Sequence, residues 1–227
     1  MMIMLIVGTV FAACIAILLA LVLRLGWLGP PVAMLLGALA AALYAVVVRP
    51  WHMRWGATDE EVDRVMPGDD LISDAQSVTR AITVRGDPTD VWPWLVQIGF
   101  GKAGWYSYDW IDNDFQPSAD RIIPEYQDLS AGDRILMMPT MGFVVDSLDE
   151  PASIVSVLDD GSTSWCLGLY HNGDGATRLV SRWRPKLERN AATLFMTVLT
   201  EPGTFIMEQK MLRTIRDRVE HRDGERI

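Results

Sequence analysis

Long uncharged stretches at the start of the chain restrict its fold more than any other feature. Residues 2–23 and residues 31–48 contain no charged side chain. About 20 consecutive apolar residues in a helix are enough to cross the hydrocarbon core of a bilayer. Residues 24–30, between the two stretches, contain an arginine, two glycines and a proline, which favours a turn. The sequence therefore predicts a transmembrane helical hairpin over residues 1–49, with spans at about 2–23 and 31–48.

Basic residues near the spans predict an orientation in the membrane. Arg24 lies in the predicted turn, whereas Arg49 and Arg54 follow the second span. Cytoplasmic flanks carry an excess of Lys and Arg. This distribution predicts a two-span protein of the cell membrane, with the lipid bilayer as a partner and the soluble domain in the cytoplasm.

The remainder of the chain is acidic. The sequence has 20 Lys and Arg residues against 29 Asp and Glu residues, a formal charge of -9, and no acid precedes Asp59. Because this charge repels phosphate backbones, nucleic acid is not an expected partner. The two cysteines, Cys14 and Cys166, fall in a predicted span and a predicted strand, so no disulfide is expected.

The segment after the hairpin predicts a tether followed by a strand and a helix. Residues 50–76 form the predicted juxtamembrane tether, with a short helix because Thr58 and Glu61 have the spacing of a capping box. Residues 77–85 alternate and are rich in β-branched side chains, which predicts a strand. Asp87 then predicts the start of a helix.

Short alternating segments between residues 134 and 184 predict five more strands. Turn residues such as those at 159–161 separate them, which favours antiparallel pairing. Apolar residues at four-residue steps predict a long closing helix that begins near Thr200 and Pro202. Residues 77–221 would then form one α+β domain, followed by a polar tail at 222–227. A curved sheet against one long helix leaves space for an apolar ligand.

Several segments of this domain resemble one known family. They are AITV at 81–84, PTDVWPWLVQIG at 88–99, GWYSYD at 104–109, AGD at 131–133 and EPGTF at 201–205. These segments resemble the START-like superfamily (SRPBCC), which includes polyketide cyclases and lipid-transfer domains. The lead-in GATDEE at 56–61 is most similar to that of its membrane-tethered bacterial members. The resemblance implies a helix-grip fold, in which a curved antiparallel sheet wraps around a long C-terminal helix.

The densest polar and aromatic stretch, residues 105–114, supplies the candidates for catalysis. Tyr106, Tyr108 and Asp109 are these candidates. If the stretch is helical, Asp109 and Asp112 share a face and could form an acid/base pair. Alternatively, the aromatic rings seal the edge of the sheet while the acids face water.

An inward arginine on the first strand could bind a carboxylate or phosphate group of a ligand. Arg80 shares a strand face with Val78 and Ile82, although a charged residue on a strand usually faces solvent. Glu208 on the closing helix is a possible partner for it. The candidate ligand-binding residues are Arg80, Trp105, Tyr106, Tyr108, Asp109, Met138, Phe143, Met207 and Met211.

No metal or cofactor is expected. His52, His171 and His221 lack the ligand spacing of a zinc site, and the acids at 109–114 lack the pattern of a calcium loop. The favoured function is a membrane-anchored binding or carrier domain for a hydrophobic small molecule or lipid. The alternatives are a cyclase or aromatase-type enzyme that uses pocket Tyr, Asp and Arg side chains, and an accessory domain that docks an unknown protein partner.

Overall fold

The computed structural model describes residue 20 and residues 24–173, 175–186 and 190–224, with the side chains of 191–199 and 222–224 outside this description. The chain divides into two compact units, residues 1–51 and residues 52–227. Apart from residue 20, the first predicted span lies outside the described residues. A two-helix hairpin is therefore not shown.

A single apolar helix over Gly26–Met53 accounts for the second predicted span. It consists of a 3-10 turn (Gly26–Leu28), helix α1 (Gly29–Leu43), a π-helical segment (Tyr44–Val48) and helix α2 (Arg49–Met53). Prolines occupy the first turn of α1, where their missing N–H groups cost no helical hydrogen bond. With 28 residues and a rise of about 1.5 Å per residue, the helix is long enough to cross a bilayer.

Six antiparallel strands form one sheet in the second unit. They are β1 (Val78–Arg85), β2 (Arg134–Met138), β3 (Met141–Asp149), β4 (Ser153–Leu158), β5 (Thr163–His171) and β6 (Ala176–Pro185). Their order is β1-β6-β5-β4-β3-β2, so the first strand pairs with the last. Register shifts in the β2–β3 and β3–β4 pairs bend that end of the sheet. The predicted α+β class and the predicted antiparallel pairing are confirmed.

Four helices accompany the sheet: α3 (Asp59–Asp63), α4 (Pro88–Val96), α5 (Asp109–Asp112) and α6 (Ala191–Gly224). Thr58 and Glu61 form the predicted capping box of α3, and Asp87 caps α4. The prediction that the closing helix begins near Thr200 is wrong. Pro202 lies inside α6, where it removes one backbone hydrogen bond without ending the helix.

The inner face of the sheet packs against α6 and α4 to form the main core. Trp94, Phe143, Trp165, Leu212 and Ile215 are all fully buried there. Burial of these large apolar side chains supplies most of the driving force for folding of this unit.

Residues preceding β1 cover the opposite face of the sheet. Met66 packs there against Val155, Cys166 and Val180 in a second, smaller core. Arg182, which extends from β6 on this face, donates hydrogen bonds to the backbone carbonyls of Glu61, Val62 and Arg64 at 2.6–3.0 Å, with further bonds to Thr79 and Asp69. Residues 61–69 of the predicted tether are therefore packed on this face of the sheet.

Candidate ligand cavity

A cavity of about 430 Å³ lies between α6, the end of β2 and the segment that connects α4 to β2. Helix α6 presents one face of successive turns to the cavity, and its lining residues there are Thr204, Met207, Glu208 and Met211. The other lining residues are Phe100, Trp105, Ser107, Trp110, Ile111, Asp112 and Asp114 from the connection, Met137, Met138 and Pro139 from β2 and its turn, and Trp183 from β6.

Aromatic and methionine side chains make most of the cavity wall. The indole N–H of Trp105 donates to the Leu136 carbonyl at 3.1 Å, which fixes this ring against β2. Trp183 stacks on the buried Trp165 with ring centroids 5.0 Å apart, and Phe143 lies against both. The wall is thus held in place by the core behind it. Exposed fractions of 50% at Ile111 and 46% at Met138 mark its opening.

A buried ion pair supplies one polar group of the cavity. Arg80 and Glu208 are 5% and 6% exposed at their side chains, and the Arg80 guanidinium donates to Oε2 of Glu208. The Nε of Arg80 also donates to the carbonyl of His52 at 2.9 Å. Glu208 lines the cavity, and its Oε1 has no hydrogen-bond partner among the described residues. One carboxylate oxygen of this lining residue is therefore left without a hydrogen-bond donor in the described part of the chain.

Asp112 supplies a second carboxyl group to the cavity. Both of its carboxylate oxygens are buried, and neither accepts a hydrogen bond of ordinary geometry within the described residues. Burial raises the pKa of Asp112 to about 6, against the lowering effect of the nearby Ser107 hydroxyl, and the neighbouring Asp109 carboxylate raises it further. At neutral pH the group is mostly ionised and carries an uncompensated charge.

Four of the candidate ligand-binding residues line this cavity: Trp105, Met138, Met207 and Met211. Arg80 lies behind it and contacts Glu208, so the inward position considered for this arginine is observed. Phe143 is fully buried in the core, where it supports Trp183 rather than lining the cavity.

The three candidates for catalysis lie outside the cavity lining. The Tyr106 hydroxyl is buried in a separate network, where it donates to the Trp94 carbonyl at 3.2 Å and accepts from Gln97 at 2.8 Å. Asp109 accepts a hydrogen bond from the Ser118 hydroxyl. Tyr108 precedes α5 and is half-buried.

The short length of α5 separates the two aspartates that were expected to share a face. α5 has four residues, and Asp109 and Asp112 lie at its two ends. Asp112 lines the cavity whereas Asp109 binds Ser118. Sequence reasoning missed Trp183 and Phe100 as lining residues. The alternation of β6 contained the signal for Trp183, because Arg182 and Arg184 occupy the face opposite to it.

Among the residues that the structure describes, no group of three His, Cys, Asp or Glu side chains is arranged to hold an ion. The histidines at 52, 171 and 221 lie in separate parts of the second unit.

Comparisons with known proteins identify similar folds. No family model and no curated protein matches the chain. Similar solved structures include the polyketide cyclase-like protein Cgl2372 of Corynebacterium glutamicum, with 11% identity, coverage of 66% of this chain and 94% of that chain, and a TM-score of 0.38. The KanY protein has 11% identity, with coverage of 64% of this chain and 98% of that chain and a TM-score of 0.40. An AHSA1-like protein of Aeromonas hydrophila has 14% identity, with coverage of 64% of this chain and 94% of that chain and a TM-score of 0.34.

Two of these three structures are described as polyketide cyclase-like and AHSA1-like proteins. A likeness at 11–14% identity carries no information on what this chain binds.

Proposed function

We propose that residues 52–227 bind a hydrophobic small molecule in the cavity beside α6, and that the apolar helix anchors the chain in a membrane. The cavity carries the first part of this proposal. Its volume of about 430 Å³ falls within the range of about 300 to 1,000 Å³ that small-molecule sites occupy. Most of its lining residues are aromatic or methionine side chains, as is typical of small-molecule sites.

The composition of the wall favours an apolar ligand of variable shape. Met137, Met138, Met207 and Met211 all line the cavity. Methionine side chains are flexible and polarisable, and they adapt to irregular apolar surfaces. Together with the aromatic rings, they provide an apolar wall that accepts more than one ligand geometry.

Exposed apolar side chains support the membrane anchor. Met34, Leu39, Leu43 and Val46 are between 57% and 76% exposed along one helix. A continuous apolar helix of this length is unstable in water and stable in hydrocarbon. The arginines at 49 and 54, at the C-terminal end of this helix, support a cytoplasmic position of the binding unit. Retention of the chain in membranes after alkaline carbonate washing would support the anchor, whereas its release without detergent would contradict it.

Native mass spectrometry of the purified full chain tests ligand binding. The expected result is an additional mass of a small molecule, which organic extraction then recovers. Met207→Trp fills the cavity, and Ile206→Trp is its matched control because Ile206 is 50% exposed and does not line the cavity. We expect the additional mass to disappear in Met207→Trp and to persist in Ile206→Trp. Equal occupancy in both variants would place the ligand elsewhere.

An enzymatic function is a second candidate because two carboxyl groups line the same apolar cavity. Glu208 forms an ion pair with Arg80, whereas Asp112 has a pKa raised to about 6 by burial. Two carboxyl groups in different environments can act as acid and base in one reaction. Loss of turnover of the extracted molecule in Asp112→Asn, measured at saturating ligand concentration, would support this function. Unchanged chemical identity of the molecule during incubation with the wild-type chain would exclude it.

A further inference from the structure

The charged side chains that line the cavity are all acidic. Its charged lining residues are Glu208, Asp112 and Asp114, and none of the described lining residues is Lys, Arg or His. Glu208 is 6% exposed, and its Oε1 has no hydrogen-bond partner in the described part of the chain. A buried acceptor without a donor costs free energy until a donor reaches it.

The ion pair does not neutralise the cavity as a whole. Arg80 compensates the charge of Glu208 and already donates to its Oε2. Asp112 forms no ion pair among the described residues, and neither of its buried carboxylate oxygens accepts a hydrogen bond of ordinary geometry, although the Ser107 hydroxyl lies nearby. A ligand carboxylate or phosphate would therefore meet like charge, and no arginine is available at the wall to bind it. This charge distribution disfavours the acidic head group that an inward Arg80 suggested.

Aromatic surfaces provide the second kind of contact that a cation needs. Phe100, Trp105, Trp110 and Trp183 line the same cavity as the carboxylates. The faces of aromatic rings attract cations, and indole attracts them most strongly. Acids and aromatic rings in one water-poor space form a site of the kind that recognises alkylammonium groups.

We propose that the ligand of this cavity is an apolar molecule that carries a protonated amine. This inference rests on the proposed function, because it names the class of ligand for the same cavity. The ammonium group donates hydrogen bonds to Oε1 of Glu208 and to the carboxylate of Asp112, and the apolar body lies against the methionines and aromatic rings.

Three probes with one apolar body and different head groups test the proposal: 4-phenylbutylamine, 4-phenylbutan-1-ol and 4-phenylbutyrate. Binding of each to the full chain in lipid nanodiscs is measured at pH 7.5 by calorimetry, with empty nanodiscs as the blank. We expect the amine to bind at least about tenfold more tightly than the alcohol, and the acid to bind most weakly, because charge-assisted hydrogen bonds are the strongest polar contacts of the site.

Two outcomes of this series overturn the proposal and are distinguishable. If the alcohol or the acid binds as tightly as the amine, the amine inference fails while the proposed binding function stands. If none of the three probes binds, the proposed function and the inference fail together.

Removal of a single charge provides an independent test. Asp112→Asn preserves the shape of the side chain and should weaken amine binding by about tenfold while leaving alcohol binding within a few-fold. Asp146→Asn is the matched control, because Asp146 is exposed on β3 and does not line the cavity. An equal loss of amine affinity in both variants would show a general effect of charge and would overturn the proposal.

Discussion

Arg80 and Glu208 form a buried ion pair that joins the first strand of the sheet to the closing helix across 128 positions of sequence. The Arg80 guanidinium also lies 5.2 Å from the ring centroid of Phe205, one turn before Glu208 on α6. This contact sets the position of the helix beside the cavity, and it leaves one carboxylate oxygen at the cavity wall.

Breaking this pair should be costly. Replacement of Arg80 by Met leaves the Glu208 carboxylate buried without a counter-charge, which typically costs about 3 to 5 kcal/mol. The double variant Arg80→Met with Glu208→Leu should recover much of this loss, because it removes both charges. Urea unfolding of the full chain in detergent measures both. If the double variant loses more free energy of unfolding than the single variants Arg80→Met and Glu208→Leu lose together, the direct pairing is contradicted.

Asp112 should make stability depend on pH in an unusual direction. Its ordinary pKa is 3.8, and burial raises the pKa to about 6 in the folded chain. Between these values the folded state binds more protons than the unfolded state, so this group's contribution to stability falls as pH rises through the interval. Asp112→Asn should remove that contribution, whereas Asp146→Asn should retain it. Unfolding free energies measured from pH 4 to 7.5 test this, and identical profiles for the two variants would contradict it.

Glu61 should have the opposite dependence on pH. Both of its carboxylate oxygens accept hydrogen bonds from Arg178 at 2.7 Å, and Oε2 also accepts one from the Thr58 amide. Although burial acts to raise the pKa of Glu61, these bonds hold it below its ordinary value of 4.5. The stability that it contributes is therefore present above pH 4.5 and is lost as pH falls through the lowered value.

Replacement of this glutamate tests its role in holding α3 on the sheet. Glu61→Gln should cost about 1.5 to 3 kcal/mol at pH 7, the range for hydrogen bonds to charged groups. The cost should shrink in acid, where the wild-type carboxylate is protonated. Glu60→Gln is a control, because Glu60 is exposed and, among the described residues, forms an ion pair with Arg64 alone. A loss of unfolding free energy that does not depend on pH would argue against the charged pair of Glu61 and Arg178.

Gly56 and Gly101 both have a positive φ, so substitutions at the two positions separate the cost of backbone strain from the cost of steric overlap. Gly56 has φ +71°, and a Cβ there would overlap the Ala81 carbonyl oxygen, whereas Gly101 has φ +74° and open space around it. Gly101→Ala should cost about 1 kcal/mol from the left-handed conformation alone. Gly56→Ala should cost clearly more, because the preceding segment would have to move away from β1. Equal losses in thermal unfolding would mean that the contact of Gly56 with β1 is unimportant.

Local sequence patterns predicted the strands well because each depends on neighbouring residues. The alternation at 77–85 and the turn at 159–161 correspond to β1 and to the β4–β5 connection. The direction of Arg80 was harder to predict, since Thr79 and Ala81 on the opposite face of β1 are buried as well. Both faces of this strand are covered, so burial does not distinguish them.

The cavity could be predicted only in part, because its lining comes from separate segments of the chain. Met207 and Met211 follow from the apolar face of α6, but Phe100 and Trp183 reach the cavity only through the packing of the connection and the sheet. The short α5 likewise assigns Asp109 and Asp112 to different surroundings. Contacts of this kind depend on tertiary structure and leave no periodic signal in sequence.

Methionine methyl groups report most directly on the central claim that this cavity binds an apolar molecule. The full chain, labelled with carbon-13 at its methionine methyls, is titrated with 4-phenylbutan-1-ol at millimolar concentration and followed by NMR. We predict that the resonances of Met137, Met138, Met207 and Met211 shift together, while Met66 in the opposite core remains unchanged. Shifts at Met66 without shifts at the cavity methionines, or no shifts at all, would contradict the account.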